Sequence, residues 1–265
     1  METVFSRDGT TIAFERSGSG PVLVLVGGAL SWRTGPDRLA ELLSEHFTVF
    51  DYDRRGRGAS GDSALHEPER EIEDIDALIG ASGGSAALYG MSSGGVLALD
   101  AAQQLAGRVT RLALYEPPFI IDTARPPLPD DYVEHLEELV GTGQRGAAVD
   151  YFMTAAIGMP EEYLAGMRES PGWAGWESVA HTLAYDGRVV RNVMAGRPLP
   201  IDRWDCVTMP TLVMTGELSE SFFADGARAL VAILPDATHR VLSGQEHNVD
   251  ADALAPVLVE FASAH

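Results

Sequence analysis

The stretch Ala86-Ala87-Leu88-Tyr89-Gly90-Met91-Ser92-Ser93-Gly94-Gly95-Val96-Leu97-Ala98-Leu99-Asp100-Ala101-Ala102 decides the fold of this 265-residue chain. It starts as a short apolar strand and ends as a helix, with a Gly-x-Ser-x-Gly turn between. A serine on so tight a strand-to-helix turn sits on strained backbone, and the flanking glycines remove side chains that would clash. The helix start also offers backbone N–H groups to a developing oxyanion. The same pattern recurs at Gly80-Ala81-Ser82-Gly83-Gly84. With 28 glycines in the chain the pattern alone says little, so the setting decides. Ser82 follows a helix and precedes a strand, which makes it a linker serine. Only Ser92 has the strand before it and the helix after it. The plain alternative is a glycine-rich turn without chemistry.

On either side, strands and helices alternate. Glu2 to Ser6 and Thr11 to Glu15 flank an Asp8-Gly9 turn and read as a hairpin. Val22 to Val26 is a continuous β-branched run, as in a strand buried on both faces of a parallel sheet. Pro36 to Glu45 has helical spacing, Phe47 to Tyr52 is a strand, and Arg70 to Ile79 a helix with Ile72, Ile75 and Ile79 on one face. After the elbow, a helix over Gly95 to Leu105 and a strand over Leu112 to Tyr115 follow. Further on come strand Thr211 to Thr215, helix Phe222 to Leu234, strand His239 to Leu242 and helix Ala251 to Ala262. Such alternation predicts an α/β protein with a mostly parallel central sheet flanked by helices. From Phe119 to Pro200 the rhythm stops, and helical pieces appear at Asp131–Val140, Gly146–Ala156, Glu161–Glu169 and Trp173–Ala184. This predicts a core of residues 1–118 and 201–265 with a helical insertion over 119–200.

Composition excludes several classes. The formal charge of -20 disfavours nucleic acid and anionic membranes as partners. All 19 basic residues are arginine, which removes Schiff-base lysines and a P-loop lysine. Cys206 is the only cysteine, so neither an internal disulfide nor a cysteine-based zinc site is expected. Its setting, Asp205-Cys206-Val207-Thr208-Met209-Pro210, argues against a catalytic thiol. The N-terminus has no signal-peptide pattern, and no apolar run approaches the ~20 residues of a membrane span. A cytoplasmic protein acting on a small molecule is expected, with neither metal nor organic cofactor. Its oligomeric state stays open.

The strand ending in Gly27-Gly28, the strand-loop Asp51-Tyr52-Asp53-Arg54-Arg55-Gly56-Arg57-Gly58-Ala59-Ser60 and the Ser92 elbow together resemble the α/β-hydrolase superfamily, over nearly the whole chain. The resemblance implies the α/β-hydrolase fold, residues 119–200 as its cap domain, and the arginine-rich loop as structural; anion binding is the other reading of that loop. It implies Ser92 as nucleophile and His247, between the last strand and last helix, as general base. The remaining histidines, His46, His66, His135, His181, His239 and His265, read as surface, cap or strand residues. The implied oxyanion donors are the backbone N–H groups of Ser93 and Ala29. A His-Gly-x motif is usual before the second donor; Gly27-Gly28-Ala29 replaces it here, and a backbone role survives that change.

The acid departs from the family pattern. Gly216-Glu217-Leu218-Ser219 puts a serine where an aspartate is usual. The acid has either shifted to Glu217 or Glu220, been lost to leave a dyad, or moved to another strand. The favoured choice is Glu116, at the end of Leu112-Ala113-Leu114-Tyr115-Glu116, where the chain is similar to some haloalkane dehalogenases and the fungal zearalenone lactone hydrolases. Its plain alternative is a capping or salt-bridging carboxylate. Dehalogenases and epoxide hydrolases of the superfamily use an aspartate nucleophile, against which Ser92 argues. Ser92, Glu116 and His247 therefore imply hydrolysis of a carboxylic ester or lactone of a small, bulky apolar or aromatic molecule through an acyl-enzyme. A C–C bond hydrolase, cyclase, cofactor-free oxygenase or ligand receptor on the same fold is the alternative. Phe152, Met153, Trp173 and Trp176 are candidates for the substrate pocket, with packing inside the cap as their other reading.

Overall fold

The computed structural model describes residues 1–33, 35, 37–64 and 66–263. Strands β1 (Glu2–Phe5) and β2 (Thr11–Gly18) form the expected antiparallel hairpin, with Phe5 opposite Thr11. At the turn, Gly9 takes a φ of 86° and Asp8 accepts the Thr10 amide. β3 (Val22–Val26) follows, then α1 (Arg38–Leu43). This helix starts later than its periodicity suggests because Asp37 caps it, accepting from the Leu39 and Ala40 amides. Pro36, where the helix was expected to begin, lies outside the described residues.

Next come β4 (Thr48–Tyr52), α2 (Pro68–Ala81), β5 (Ala86–Met91), α3 (Ser93–Gln104) and β6 (Val109–Tyr115). The insertion holds α4 (Tyr132–Gly141), α5 (Arg145–Tyr151), a π-helical turn (Phe152–Ala156), α6 (Glu161–Arg168), α7 (Trp173–Val179), a 3-10 turn (Ala180–Thr182) and α8 (Leu183–Val190). The chain closes with β7 (Thr211–Gly216), α9 (Ser221–Ile233), β8 (Ala237–Leu242) and α10 (Ala251–Ser263). Among the described residues, no helix is long and apolar enough to cross a membrane.

One helix reaches further than expected. The piece read as Trp173–Ala184 breaks at Thr182, whose hydroxyl bonds back to the Val179 carbonyl, and resumes as α8 up to Val190. Inside α8, Gly187 lets the helix approach α4: a Cβ there would lie 3.0 Å from Val133 and 3.1 Å from Tyr132.

The strands form one sheet in the order β1-β2-β4-β3-β5-β6-β7-β8. β2 runs antiparallel to β1 and β4, and every other neighbouring pair is parallel. The chain leaves β3 for β4 on one side and returns to β5 on the other, so the ends of β3 and β5 flank the switch point where such sheets bind ligands. Alternate residues face opposite layers. Val24, Leu88 and Leu112 pack with Ile75, Leu78 and Leu97 of α2 and α3, and Leu136 and Leu183 of the insertion join that cluster. Leu23, Leu25, Val49 and Ala113 pack instead with Leu43 of α1 and Leu254 and Leu258 of α10. Fully burying each such aliphatic side chain contributes about 1.5–3 kcal/mol.

Asp51 of β4 is a half-buried carboxylate at the edge of this core. Burial, reinforced by Asp37, Asp53 and Glu15, pushes its carboxyl up to about 7. Between about pH 4, where an unfolded aspartate ionises, and pH 7 the folded chain therefore keeps a proton that the unfolded chain loses, and stability falls as pH rises. Asp51→Asn should raise the melting temperature at pH 8 and leave it nearly unchanged at pH 4. An equal shift at both pH values in a thermal melt would show that ionisation is not the cause.

Candidate active site

The sheet topology puts the tips of β3, β5 and β6 side by side. Ser92, between β5 and α3, has φ 54° and ψ −126°, a conformation costing an L-residue about 1–3 kcal/mol. It is held by its amide donating to the Tyr115 carbonyl at 2.9 Å and its carbonyl accepting from Gly95 at 2.9 Å. A Cβ on Gly90 would lie 2.5 Å from the Gly94 carbonyl oxygen, and one on Gly94 would lie 2.4 Å from those of Val26 and Gly27. Sterics thus require both glycines of the pattern. Ser82 caps the end of α2, as a linker serine should.

Glu116 follows β6 with φ 46° and is fully buried. Its Oε1 accepts from the Gly216 amide at 2.7 Å, and its Oε2 lies 2.7 Å from His247 Nδ1. The β8–α10 loop carrying His247 is tied down beside it: Tyr115 donates its hydroxyl to the Glu246 carbonyl at 2.6 Å. Gly216 permits this closeness, because a Cβ there would lie 2.3 Å from the Gln245 carbonyl oxygen. Phe223 stacks on the imidazole, with ring centroids 4.9 Å apart. The other acid candidates are engaged elsewhere. Glu217 accepts from Ser243 and the Gly244 amide, which hold its carboxyl below the usual range. Glu220 pairs with Arg125 at 2.6 Å, and the Ser219 hydroxyl is buried without a partner among the described residues.

Ser92, Ser93, Ala29 and His247 line one cavity of about 110 Å³. No hydrogen bond joins Ser92 to His247 among the described residues; catalytic hydrogen bonds are often long in unliganded sites. Tyr132, Phe152, Val190, Met194, Phe222 and Phe223 supply its apolar wall. Of the four candidates from the insertion, Phe152 is in that wall. Met153, Trp173 and Trp176 are not among the wall residues and pack within the insertion, Trp173 edge-on to Trp176 at 6.2 Å. Neighbouring residues of a helical turn point in different directions, which separates Met153 from Phe152. A wider hollow of about 300 Å³ beside Asp51, Arg33 and Leu254 has neither Ser92 nor His247 in its wall. Cys206 is exposed.

The sequence reading missed Asp186 of α8, which also lines the cavity. Its Oδ1 accepts from the Ser93 hydroxyl and Arg54 Nη1, both at 2.7 Å, and its Oδ2 from Arg57 Nη2 at 2.5 Å. Arg54 also forks onto Glu71 at 2.6 and 2.7 Å, and Arg55 onto Asp74 at 2.8 and 2.7 Å. All three loop arginines are thus buried and paired, which is a structural rather than an anion-binding arrangement. Removing one partner of such a buried pair costs about 3–5 kcal/mol. His66, expected on the surface or in a cap or strand, is buried in the loop before α2, stacked on Tyr185 at 3.9 Å and 3.0 Å from Glu71. His265 lies outside the described residues.

The sequence matches the alpha/beta hydrolase family over residues 22–255. The chain belongs to the alpha/beta-hydrolase family. Among solved structures, an alpha/beta hydrolase from Sphaerobacter thermophilus DSM 20745 is 50% identical, with a TM-score of 0.91 and coverage of 99% of this chain and 100% of that one. The enol-lactonase from Burkholderia xenovorans LB400 shares the fold at 21% identity and TM-score 0.70, covering 99% of this chain and 100% of its own. So does the 2-hydroxy-6-oxo-6-phenylhexa-2,4-dienoate hydrolase from Rhodococcus sp. strain RHA1, at 20% identity, TM-score 0.69 and coverage of 100% and 99%.

Proposed function

We propose that the protein is a serine hydrolase cleaving a carboxylic ester or lactone of a small apolar or aromatic molecule. The observation that carries this reading is Ser92 on its strained elbow, sharing a cavity with a histidine whose Nδ1 is 2.7 Å from a buried carboxylate. With Nδ1 engaged by Glu116, Nε2 is the nitrogen left to serve Ser92. His247 takes the proton as Ser92 Oγ attacks the carbonyl carbon, and Glu116 holds the tautomer and offsets the imidazolium charge. The N–H groups of Ala29 and Ser93 receive the oxyanion. Collapse expels the alcohol with the proton from His247; water then repeats the sequence and frees the acid and Ser92. The scheme uses neither metal nor organic cofactor. Residues 119–200 act as the cap over a core of 1–118 and 201–265.

The cavity is smaller than the ~150 Å³ void that holds benzene in an engineered protein core. A short acyl chain suits it, with a bulkier apolar or aromatic alcohol part towards the mouth. Asp186 in the wall, and an Arg125 already paired with Glu220, favour a neutral acyl group over one bearing a carboxylate. Neutral p-nitrophenyl esters should be turned over many times per enzyme, and a fluorophosphonate should add its mass to the peptide carrying Ser92. Labelling at Ser82, or stoichiometric binding of esters without turnover, would defeat the reading; the second outcome points to a ligand receptor.

A further inference from the structure

We infer that Asp186 is a positioning residue that holds both halves of the oxyanion hole at once, from the inserted helix α8. The inference rests on the hydrolase reading above for which amides receive the oxyanion, and on geometry for the rest. A peptide unit is planar, with its C=O and N–H pointing opposite ways, so fixing a carbonyl aims the amide of the next residue. The Gly28 carbonyl, in the same peptide plane as the Ala29 amide, accepts from Arg57 Nη1 at 2.6 Å and from the Ser31 hydroxyl at 2.6 Å. The Gly27 carbonyl accepts from Arg54 Nη1 at 3.2 Å. These bonds set the direction of the first donor. The second donor, the Ser93 amide, belongs to a residue whose hydroxyl is tied to Asp186 Oδ1. Asp186 is the group common to the two halves, since it also grips the guanidinium groups of Arg54 and Arg57.

The arrangement gives the Asp53-Arg54-Arg55-Gly56-Arg57 loop a task that its burial alone leaves unexplained. Arg57 has further bonds to the Ser31 carbonyl and the Thr182 hydroxyl, so it spans the β3 loop and the start of α8. Asp186, Arg57 and Ser93 are each less than a tenth exposed, where a charge cluster holds its geometry without competition from solvent.

The test measures kcat and KM on p-nitrophenyl acetate for Ser93→Ala, Asp186→Asn and the double variant, per site titrated with a fluorophosphonate. Ser93→Ala leaves every ion pair in place. Each single variant should lower kcat on the order of tenfold to a hundredfold with KM within about threefold, because misplaced oxyanion donors act on the transition state. The double variant should lose no more than Asp186→Asn alone, since both changes break one chain of contacts. Affinity for phenylboronic acid, which forms a tetrahedral anion on the serine, should weaken in parallel. A folded single variant that keeps kcat within twofold overturns the inference. So does a rise in KM with kcat held, which would make Asp186 a substrate contact. If Asp186→Asn does not fold, Ser93→Ala decides alone. Should the wild type turn over no ester, the hydrolase reading fails separately, and boronate affinity still reports whether Asp186 and Ser93 set the anion site.

Discussion

Ser92→Ala should end ester turnover, lowering kcat on the order of 10⁶-fold, with the residue of catalysis coming from binding and oxyanion donors. The loss is chemical, so the fold should remain. Stability offers a second reading of the same position. Ser92 sits at φ 54°, which alanine tolerates no better than serine but glycine adopts freely. Ser92→Gly should therefore be as inactive as Ser92→Ala and melt at a higher temperature, by the equivalent of about 1 kcal/mol. An alanine variant with appreciable turnover would remove Ser92 as nucleophile. A glycine variant melting below the alanine one would show that the elbow is not strained.

Glu116→Gln is the next largest expected change. The amide keeps the shape of the side chain but cannot stabilise an imidazolium, and the loss for a triad acid is about 10⁴-fold in kcat. Either orientation of the amide also spoils the site. Oε1 accepts from the Gly216 amide and Oε2 faces His247 Nδ1, so an NH₂ group either opposes the Gly216 donor or donates to Nδ1 and holds the imidazole in the tautomer with Nε2 protonated, which cannot take the Ser92 proton. Glu217→Gln should cost under about tenfold, since that carboxylate only ties the exposed Ser243–Gly244 turn. Rates should be measured beside melting temperatures for both variants. Near-wild-type turnover in Glu116→Gln with a large loss in Glu217→Gln would move the acid to the loop after β7. If both stay fast, Ser92 and His247 work as a dyad.

The sheet and the Ser92 elbow were legible because each rests on local chemistry: β-branched runs, an Asp-Gly turn, and glycines where a Cβ cannot fit. The place of Glu116 beside the elbow was legible through the resemblance, whose strand order sets β6 next to β5, as the register shows. The insertion was harder. Its helices pack as partners of one another, so Phe152, Met153, Trp173 and Trp176 look alike in sequence, although only Phe152 is in the cavity wall. Asp186 was missed because the expected helix stops at Ala184, whereas α8 continues to Val190. Three arginines in a loop are many positive charges for a buried place, and asking where their partners lie points to buried acids, yet not to one in the insertion.

Insertions between strands are often pictured as exchangeable modules, and α8 is not built that way. Arg57 contacts Asp186 alone among the carboxylates of the described residues, so a helix carrying anything uncharged at position 186 would strand a dry guanidinium. A change at one of these two positions has to be met by a change at the other, although they lie 129 residues apart. Among the described residues, no ion pair joins the segment from α4 to α7 to the loop after β4. Substitutions in α4 or at Phe152 can reshape the cavity wall without breaking an ion pair to that loop, whereas a neutral residue at position 186 cannot.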